Sequence, residues 1–291
     1  MLQTQTIRTG PFYVRLTTDI ASLYDGITQL YSSILVNREE DFFDFHVKLM
    51  RPKSLRRWIR PQVSFLFDGK APFKPLPLDQ ALPMFEWGLN WCISNHIHTH
   101  LISHAAVIEK DGKAVIMPGA PGSGKSTLCA GLMLSGYRLL TDELATIDPN
   151  DLLLTSLCRP VNLKNQSIEL IKKAFPEAIF SKTVKDTAKG TVSLLKPSDL
   201  SFQECGDRAK AVAIVFPKYE KGEKCRLEKL DKGHAFMQLA EQSFNYSLLG
   251  ERGFDILSRL IESCDCYSLS YGTLDESIAQ IERVITDSAE R

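Results

Sequence analysis

The stretch "GAPGSGKST", residues 119–127, decides how the rest of this sequence is interpreted. It matches the Walker A pattern, in which two glycines, a lysine and a serine or threonine follow one another at fixed spacing. Gly119 and Gly124 let the backbone turn tightly, so that several N–H groups point at one anion. Lys125 adds a cation for the β- and γ-phosphates, and the Ser126 hydroxyl is suited to Mg²⁺. The predicted nucleotide-binding residues are Gly119, Ala120, Pro121, Gly122, Ser123, Gly124, Lys125, Ser126 and Thr127.

The residues on either side of this loop have the periodicity that a phosphate loop requires. "KAVIMP" at 113–118 is typical of a short apolar strand, and "KSTLCAGLMLSG" at 125–136 is typical of a helix that stops at Gly136. The positive end of the helix dipole would then face a bound phosphate. This context supports a nucleotide site rather than a glycine-rich turn with a chance lysine.

Length and composition set broad limits on the class of protein. The chain has 291 residues, of which 44% are hydrophobic and 24% charged, and its formal net charge is zero. This length suits one large or two modest domains, and a neutral chain is not typical of a general nucleic-acid or membrane-surface binder. No signal peptide and no membrane-spanning apolar run are visible. Seven cysteines without a CxxC pair indicate reduced thiols, and we expect a cytoplasmic protein.

Residues 1–79 predict a small N-terminal α/β unit that helps to select a partner, and residues 80–291 predict the phosphate-loop domain. Three prolines in residues 71–79 indicate a linker between them. In the first unit we expect strands at 11–18, 43–50 and 62–69 and a helix at 19–35.

A hairpin signal at Asp111-Gly112, close to helical segments, predicts a mixed rather than a purely parallel sheet in the second unit. The expected helices are 80–96, 125–136, 167–175, 235–249, 253–264 and 275–287. The expected strands are 101–110, 113–118, 137–148, 152–163, 190–197, 210–219 and 267–272.

Two adjacent acids end the strand that follows the loop helix. Asp142 lies 17 residues after Lys125, and Glu143 is the next residue. Neighbouring strand residues point to opposite faces, but both carboxylates can approach the phosphates if the strand breaks here. One acid would hold Mg²⁺ with Ser126, and the other would accept a proton from an attacking hydroxyl. Arg159, at the end of a later strand, is a candidate for neutralising phosphate charge.

These motifs together resemble the catalytic domain of HPr kinase/phosphorylase, which phosphorylates a serine of a sugar-transport phosphocarrier. The resemblance covers about residues 95–250 and rests on His104, the phosphate loop and the run "GSGKSTLCAGLMLSGYRLLTDE" at 122–143. It implies an α/β fold with a mixed-sheet P-loop kinase core, of the type shared with phosphoenolpyruvate carboxykinase, joined here to the small N-terminal α/β unit.

The resemblance also implies a role for each matching residue. Lys125 would bind the β- and γ-phosphates, and Asp142 would be the proton-accepting aspartate. Glu143 stands where the family has a second aspartate that helps to hold Mg²⁺ with Ser126. His104 matches a histidine near the phosphates, where a positive or hydrogen-bonding imidazole is suitable. The resemblance thus implies Asp142, Lys125 and His104 as catalytic residues and Ser126 and Glu143 as metal ligands.

Two positions depart from the family's pattern. Lys189 stands for the arginine of an Arg-Gly pair, and His234 for the arginine of a turn before a helix. Both are candidates for phosphate or substrate contacts, but neither has the bidentate geometry of a guanidinium. We therefore expect little of the family's reverse, phosphate-consuming reaction and an acceptor other than the sugar-transport phosphocarrier.

The sequence thus predicts a kinase that uses ATP and Mg²⁺ to phosphorylate a serine or threonine hydroxyl of a protein or peptide. A small-molecule kinase of the same fold and a nucleotide-binding adaptor without catalysis are the alternatives. We expect a polypeptide partner and no nucleic-acid or membrane partner, and assembly into a homo-oligomer is left open.

Three further features allow a functional or a structural interpretation. His96, His98 and His100 alternate as on one face of a strand and could bind Zn²⁺, although no cysteine or carboxylate lies nearby. The basic stretch 51–61 around Trp58 could receive an acidic partner or form a solvated loop. A helical stripe is expected in the core: Leu239, Phe244, Leu248 and Leu249.

Overall fold

A two-residue turn at Asp111-Gly112 joins the two strands at the centre of the fold. Strands Ala105–Lys110 and Lys113–Pro118 pair antiparallel on either side of it. Asp111 and Gly112 have φ values of 54° and 79°, and positive values at both central residues define the type I′ turn that matches the twist of paired strands. The predicted hairpin is confirmed, and it brings the strand before the phosphate loop into the middle of a sheet.

The computed structural model describes residues 1–37 and 42–288. Its strands are β1 Gln3–Thr9, β2 Phe12–Thr18, β3 Phe45–Met50, β4 Gln62–Phe67, β5 Leu76–Pro77, β6 Leu101–Ser103, β7 Ala105–Lys110, β8 Lys113–Pro118, β9 Arg138–Thr141, β10 Ala145–Ile147, β11 Leu153–Thr155, β12 Val161–Lys164, β13 Val184–Thr187, β14 Gly190–Leu195, β15 Arg208–Tyr219, β16 Arg226–Lys229 and β17 Asp265–Tyr271. Its α-helices are α1 Ala21–Leu30, α2 Ala81–His96, α3 Lys125–Leu134, α4 Gln166–Ala174, α5 Asp199–Gln203, α6 Lys232–Glu241, α7 Tyr246–Leu249, α8 Glu251–Ser263 and α9 Leu274–Asp287. Short 3-10 turns cover Ser32–Ile34, Leu55–Arg57 and Leu78–Gln80.

The sheets are of mixed direction. The central sheet has the order β6-β10-β11-β15-β8-β7-β9, with β17 paired to β15 and β16 paired to β17. Strands β8, β15 and β17 run parallel, and the other pairs of this sheet are antiparallel. The N-terminal sheet β1-β2-β3-β4-β5 is also mixed, because β2 and β3 run parallel, and β12-β14-β13 form a small antiparallel sheet. The prediction of an α/β fold with a mixed central sheet and an N-terminal α/β unit is confirmed.

Helix α2 shares a hydrophobic core with the N-terminal sheet. Phe85, Leu89 and Ile93 are fully buried in the core that also holds the apolar side chains of β1 to β4 and α1. The helix lies so close to β4 that a Cβ on Gly88 would collide with the ring of Phe65. Two further cores cover opposite faces of the central sheet, one with α3 and α9 and the other with α6 and α8. The boundary predicted between residues 79 and 80 stays a prediction.

Three long strands expected from the sequence are wrong, because each is broken. The segment 101–110 forms β6 and β7, which are separated at His104. The segment 137–148 forms β9 and β10, separated by a turn in which the Thr141 hydroxyl accepts from the backbone N–H of Glu143 at 3.3 Å and of Leu144 at 3.1 Å. These local bonds replace a ladder bond. The segment 152–163 forms β11 and β12, which belong to different sheets. The break between β9 and β10 moves Asp142 and Glu143 out of the strand.

The helix expected at 235–249 is also wrong, because it divides into α6 and α7. Asn245 lies at the break, where its Oδ1 accepts from the N–H of Ile102 at 2.9 Å and its Nδ2 donates to the carbonyl of His100 at 2.8 Å. These bonds to the edge of β6 compete with a continuous helix. As a result only Leu239 of the expected core stripe is fully buried, while Phe244 is 54% and Leu248 67% exposed.

Short or polar elements were not predicted. No pattern in the sequence indicates β13, β16 or α5, and the polar alternation of β1 was missed. The expected helix at 19–35 ends earlier, at Leu30, and the expected linker at 71–79 contains β5 and a 3-10 turn. Within the part of the chain that the structure describes, no helix has the length and apolar character needed to cross a bilayer.

Candidate functional site

The phosphate loop between β8 and α3 is fixed by the ends of two neighbouring strands. The backbone N–H of Tyr219 donates to the carbonyl of Ser123 at 2.9 Å, and the Tyr271 hydroxyl donates to the carbonyl of Gly124 at 3.0 Å. Gly122 and Gly124 have φ values of 91° and 88°, which favour glycine. A Cβ on Gly124 would also overlap the Tyr271 hydroxyl. The backbone turn expected from the motif is therefore present, and α3 begins directly after it.

Lys125 is buried without a partner. Its side chain is 6% exposed, and among the described residues its Nζ atom has no hydrogen-bond partner. Burial lowers the pKa of Lys125, and the carboxylates of Asp142 and Glu143 oppose that shift. The Ser123 hydroxyl in the loop is also buried and without a partner among these residues. A bound phosphate would satisfy both groups, since buried polar atoms otherwise lose hydration without compensation.

The other residues of the loop surround Lys125 and Ser123. Gly119 approaches Ser123 closely, because a Cβ there would lie 2.5 Å from the Ser123 hydroxyl. Ala120 and Pro121 are exposed, and Ser126 and Thr127 are half-buried in the first turn of α3. The loop thus has an exposed outer edge and a buried inner cation.

Asp142 is buried beside the loop and is only partly satisfied. Its Oδ2 accepts from the backbone N–H of Asn162 at 3.1 Å, while its Oδ1 has no partner in the described part of the chain. Burial raises the pKa of Asp142 from 3.8 to about 6, Lys125 limits the rise, and Glu143 adds to it. The Ser126 hydroxyl also favours the ionised form. At neutral pH this carboxylate is ionised but basic enough to accept a proton.

Glu143 is held in its charged form by surrounding cations. Burial works against ionisation, but the nearby positive charges outweigh it and lower the pKa of Glu143. These cations are Lys189, Lys164, Lys125 and Arg159. Mg²⁺ usually binds one or two carboxylates and takes its other ligands from phosphate and water. Glu143 and Ser126 fit such a partial shell, and no group of three or more His, Cys, Asp or Glu side chains in the described ranges could hold a metal without a nucleotide.

His104 is neutral at physiological pH. Burial and the Lys125 ammonium lower its pKa to about 4. Its backbone N–H donates to the carbonyl of Gln242 at 2.6 Å, and its ring lies 5.9 Å from that of Phe244, centroid to centroid. Of the two forms considered from the sequence, the structure favours the uncharged, hydrogen-bonding imidazole.

The three predicted substrate contacts lie in different environments. Arg159 is 5% exposed, with its Nη1 3.7 Å from Glu86 Oε2. The Lys189 ammonium lies 5.1 Å from the ring centroid of Trp87 and interacts electrostatically with Glu143. His234 is exposed in the first turn of α6, with its Nδ1 3.4 Å from Asp231. The structure thus groups Arg159 and Lys189 with the acids, and the role of His234 stays a prediction.

Sequence reasoning missed the part of the site that helix α2 supplies. A pocket beside Asp142 is lined by residues from α2, from the turn after β9 and from the segment that leads into β12. These residues are Glu86, Asn90, Thr141, Asp142, Glu143, Arg159, Pro160 and Asn162. Burial raises the pKa of Glu86 to about 7, against the attraction of Arg159. The sequence signal for it is a Glu and an Asn four residues apart, on one face of a mostly apolar helix.

Unpartnered polar atoms are concentrated at this site. Most of the buried side-chain nitrogen and oxygen atoms that lack a partner in the described residues lie in it or beside it. They are Glu86 Oε1, Trp87 Nε1, Ser123 Oγ, Lys125 Nζ, Asp142 Oδ1, Arg159 Nε and Nη1, and Asn162 Oδ1. Natural proteins leave few such atoms, so a cluster of them indicates a place for a polar ligand or ordered water.

The other two candidates from the sequence have structural partners. His96 ends α2, with its Nδ1 3.0 Å from the carbonyl of Cys92, and nothing in residues 1–37 and 42–288 supports the zinc interpretation. In the basic stretch, Arg51 and Arg57 lie 3.2 Å and 3.5 Å from the carboxylate of Asp19, while the Trp58 side chain is 77% exposed.

Comparison with solved structures finds similar proteins. The chain is similar to the Hpr(Ser) kinase/phosphatase from Coxiella burnetii, with 13% sequence identity, 64% of this chain and 98% of that chain covered, and a TM-score of 0.28. No family model and no curated protein matches the chain. At this identity and TM-score the likeness by itself assigns no activity.

Proposed function

We propose that this chain is a phosphotransferase that binds a nucleoside triphosphate at residues 119–127 and transfers its terminal phosphoryl group to a hydroxyl. The observation that carries the proposal is the buried, unpartnered ammonium of Lys125 beside the half-satisfied carboxylate of Asp142. An isolated buried ammonium is costly, and an anion that enters the loop would offset that cost. A glycine-rich turn that binds no ligand would not require a buried ammonium beside a partly hydrogen-bonded carboxylate.

The residues around the loop can take separate roles in phosphoryl transfer. Asp142 accepts the proton of the acceptor hydroxyl through its Oδ1, and the acceptor oxygen attacks the terminal phosphorus. The bond from that phosphorus to the bridging oxygen breaks, and the nucleoside diphosphate leaves. The Lys125 ammonium and the N–H groups at the start of α3 stabilise the negative charge that develops on the phosphoryl oxygens. His104, being neutral, can form a hydrogen bond without competing with Lys125 for the anion.

Mg²⁺ bound here would neutralise charge on the β- and γ-phosphate oxygens. Glu143, ionised and surrounded by cations, would hold the metal together with the Ser126 hydroxyl. The charged state of Glu143 and the basicity of Asp142 therefore divide metal binding and proton acceptance between two adjacent acids.

The acceptor class and the partners are inferred from the resemblance and the departures from it. We infer that ATP is the nucleotide and that the acceptor is a serine or threonine of a protein or peptide in the cytoplasm. Lys189 and His234 in the suspected arginine positions favour the forward direction, because neither offers a bidentate fork to a free phosphate dianion. A homo-oligomer is compatible with this function.

A binding and turnover experiment tests the proposal. The purified protein is titrated with ATP by calorimetry, with Mg²⁺ and with EDTA, and is then incubated with γ-labelled ATP, with and without candidate polypeptides or small hydroxyl compounds. We expect Mg²⁺-dependent ATP binding, and label either in an acceptor or in phosphate released by water. Binding without label transfer to any acceptor, water included, would favour the adaptor alternative. Absence of nucleotide binding would overturn the proposal.

A further inference from the structure

The side-chain amide of Asn90 joins two charged groups of the site. Its Nδ2 donates to Glu143 Oε2, and its Oδ1 accepts from Arg159 Nη2. The carboxylate comes from the turn after β9, and the guanidinium from the segment before β12. Asn90 itself lies in α2, so one amide holds together three segments that are far apart in the chain.

The chemistry of the amide allows one arrangement of this bridge. A carboxylate can only accept hydrogen bonds, and a guanidinium can only donate them. If the amide were turned over, its oxygen would face the Glu143 carboxylate and its NH₂ group would face the Arg159 N–H, and both bonds would be lost. The bridge is therefore directional, and it fixes which side of Asn90 each charged group occupies.

Helix α2 is a rigid support for this amide. On either side of Asn90 along the chain, Leu89 and Ile93 are fully buried in the core of the N-terminal sheet. Gly88 allows the helix to lie directly against Phe65. The neighbouring acid on the same face, Glu86, lies 3.7 Å from Arg159 through its Oε2 atom. A shift of Asn90 would thus require a shift of the whole helix.

We propose that Asn90 is a positioning residue. It orients the Glu143 carboxylate towards the bound metal ion and holds the Arg159 guanidinium apart from that carboxylate. This inference rests on the proposed function, in which Glu143 holds Mg²⁺. Without the bridge, the Glu143 carboxylate is free to pair directly with Arg159 or with the lysines around it, and it then leaves the metal position. Groups that orient a metal ligand typically change metal affinity by about 10- to 100-fold when removed.

The test compares Asn90→Leu, which fills the same space without either hydrogen bond, with Asn95→Leu. Asn95 is exposed near the end of the same helix and serves as the matched control. Binding of ATP is measured in EDTA and across a Mg²⁺ titration. We expect Asn90→Leu to need about tenfold more Mg²⁺ for half-maximal enhancement of binding, with unchanged affinity in EDTA, and Asn95→Leu to behave as wild type. Equal losses with and without Mg²⁺ would overturn the proposal, because they indicate a general structural role.

Two further measurements test whether Asn90 acts through Glu143 and whether it is coupled to Arg159. In a Glu143→Gln background Asn90→Leu should add no further Mg²⁺ requirement, whereas additive effects would contradict action through Glu143. The bridge is tested without nucleotide by a double-mutant cycle of Asn90→Ala and Arg159→Met in urea unfolding. Non-additive free energies of unfolding would support the bridge, and additive ones would overturn it. If wild type binds no ATP while this cycle shows coupling, the proposed function fails and the bridge stands.

Discussion

The phosphate loop and the face of α2 that lines the pocket beside Asp142 are built in opposite ways. The loop is one contiguous stretch of backbone turns, held at its carbonyls by Tyr219 and Tyr271, and it leaves the Lys125 ammonium without a partner among the described residues. The α2 side joins Glu86, Asn90 and Arg159 to one another and to Glu143 from separate segments. In the function that we propose, the loop therefore supplies the cation that attracts an anion, while helix α2 orients the groups that act on it.

The largest effect is expected where the two sides meet, at Asp142. Asp142→Asn removes the proposed proton acceptor but keeps the shape of the side chain. We expect turnover to fall by about 100- to 10,000-fold while the affinity for Mg²⁺-ATP is kept, because general-base catalysis contributes that much. Steady-state turnover and calorimetry check this, with the exposed Asp275→Asn as control. Near-normal turnover would show that another group accepts the proton of the acceptor hydroxyl.

The loop side is tested by Lys125→Ala. Loss of a fixed charge that stabilises the transferring group should reduce turnover by about 100- to 1,000-fold and also weaken ATP binding. The exposed Lys221→Ala has the same formal charge change and should have no effect. Equal ATP affinity in Lys125→Ala and wild type would show that the buried ammonium serves the fold and not a ligand.

A comparison of two glycines separates backbone strain from crowding at the loop. Gly222 has a φ of 84° and nothing within 4 Å of the place that a Cβ would take, whereas a Cβ on Gly124 would meet the hydroxyl of Tyr271. Gly222→Ala should therefore cost about 1 kcal/mol, from the left-handed backbone alone. Gly124→Ala should cost about 2–4 kcal/mol and impair ATP binding, because crowding is added. Urea unfolding checks both, and equal costs would mean that the Tyr271 contact does not constrain the loop.

The α2 side is tested by the pH dependence of stability in Glu86→Gln. Burial raises the pKa of Glu86 from 4.5 to about 7, so the folded state binds this proton more tightly than the unfolded chain. Wild type should lose stability as the pH rises from about 4.5 towards 7, and Glu86→Gln should remove that loss. At pH 8 we expect the variant to be more stable by about 1–3 kcal/mol, with a smaller difference at pH 5. The exposed Glu177→Gln is the control, and a gain that is independent of pH would contradict burial of an ionisable carboxyl as the cause.

The sequence predicted the features that depend on local spacing. The loop glycines, Lys125 and the hairpin at Asp111-Gly112 are defined by residues next to one another, so a pattern is enough to find them. The break after Thr141 was considered as a condition for bringing Asp142 and Glu143 to the phosphates, but the strand through it was still expected to be continuous. The hydroxyl of Thr141 that makes the turn carries no signal of its own.

Features that depend on distant partners could not be predicted in this way. Asn90 is an ordinary polar residue until Glu143 and Arg159 lie on either side of it. Phe244 and Leu248 have the spacing of a buried helical stripe, but Asn245 binds the backbone of another segment in the break between α6 and α7, and Phe244 lies outside both helices. In both cases a side-chain bond between segments that are distant in the chain decides the outcome, and periodicity contains no information about it.

The hydrogen bond from the Tyr271 hydroxyl to the carbonyl of Gly124 has a consequence for the order in which the chain folds. The loop lies near the middle of the sequence, but β17, which supplies Tyr271, comes near its end and pairs parallel with β15. Contacts between segments so far apart form late, after the local hairpins and helices. During synthesis, the hairpin of β7 and β8 can fold on the ribosome long before the loop acquires its final shape. A nascent chain that lacks residue 271 should therefore have its central hairpin without a competent nucleotide site, and the nucleotide binding that we propose would stabilise the protein only after β17 has paired with β15.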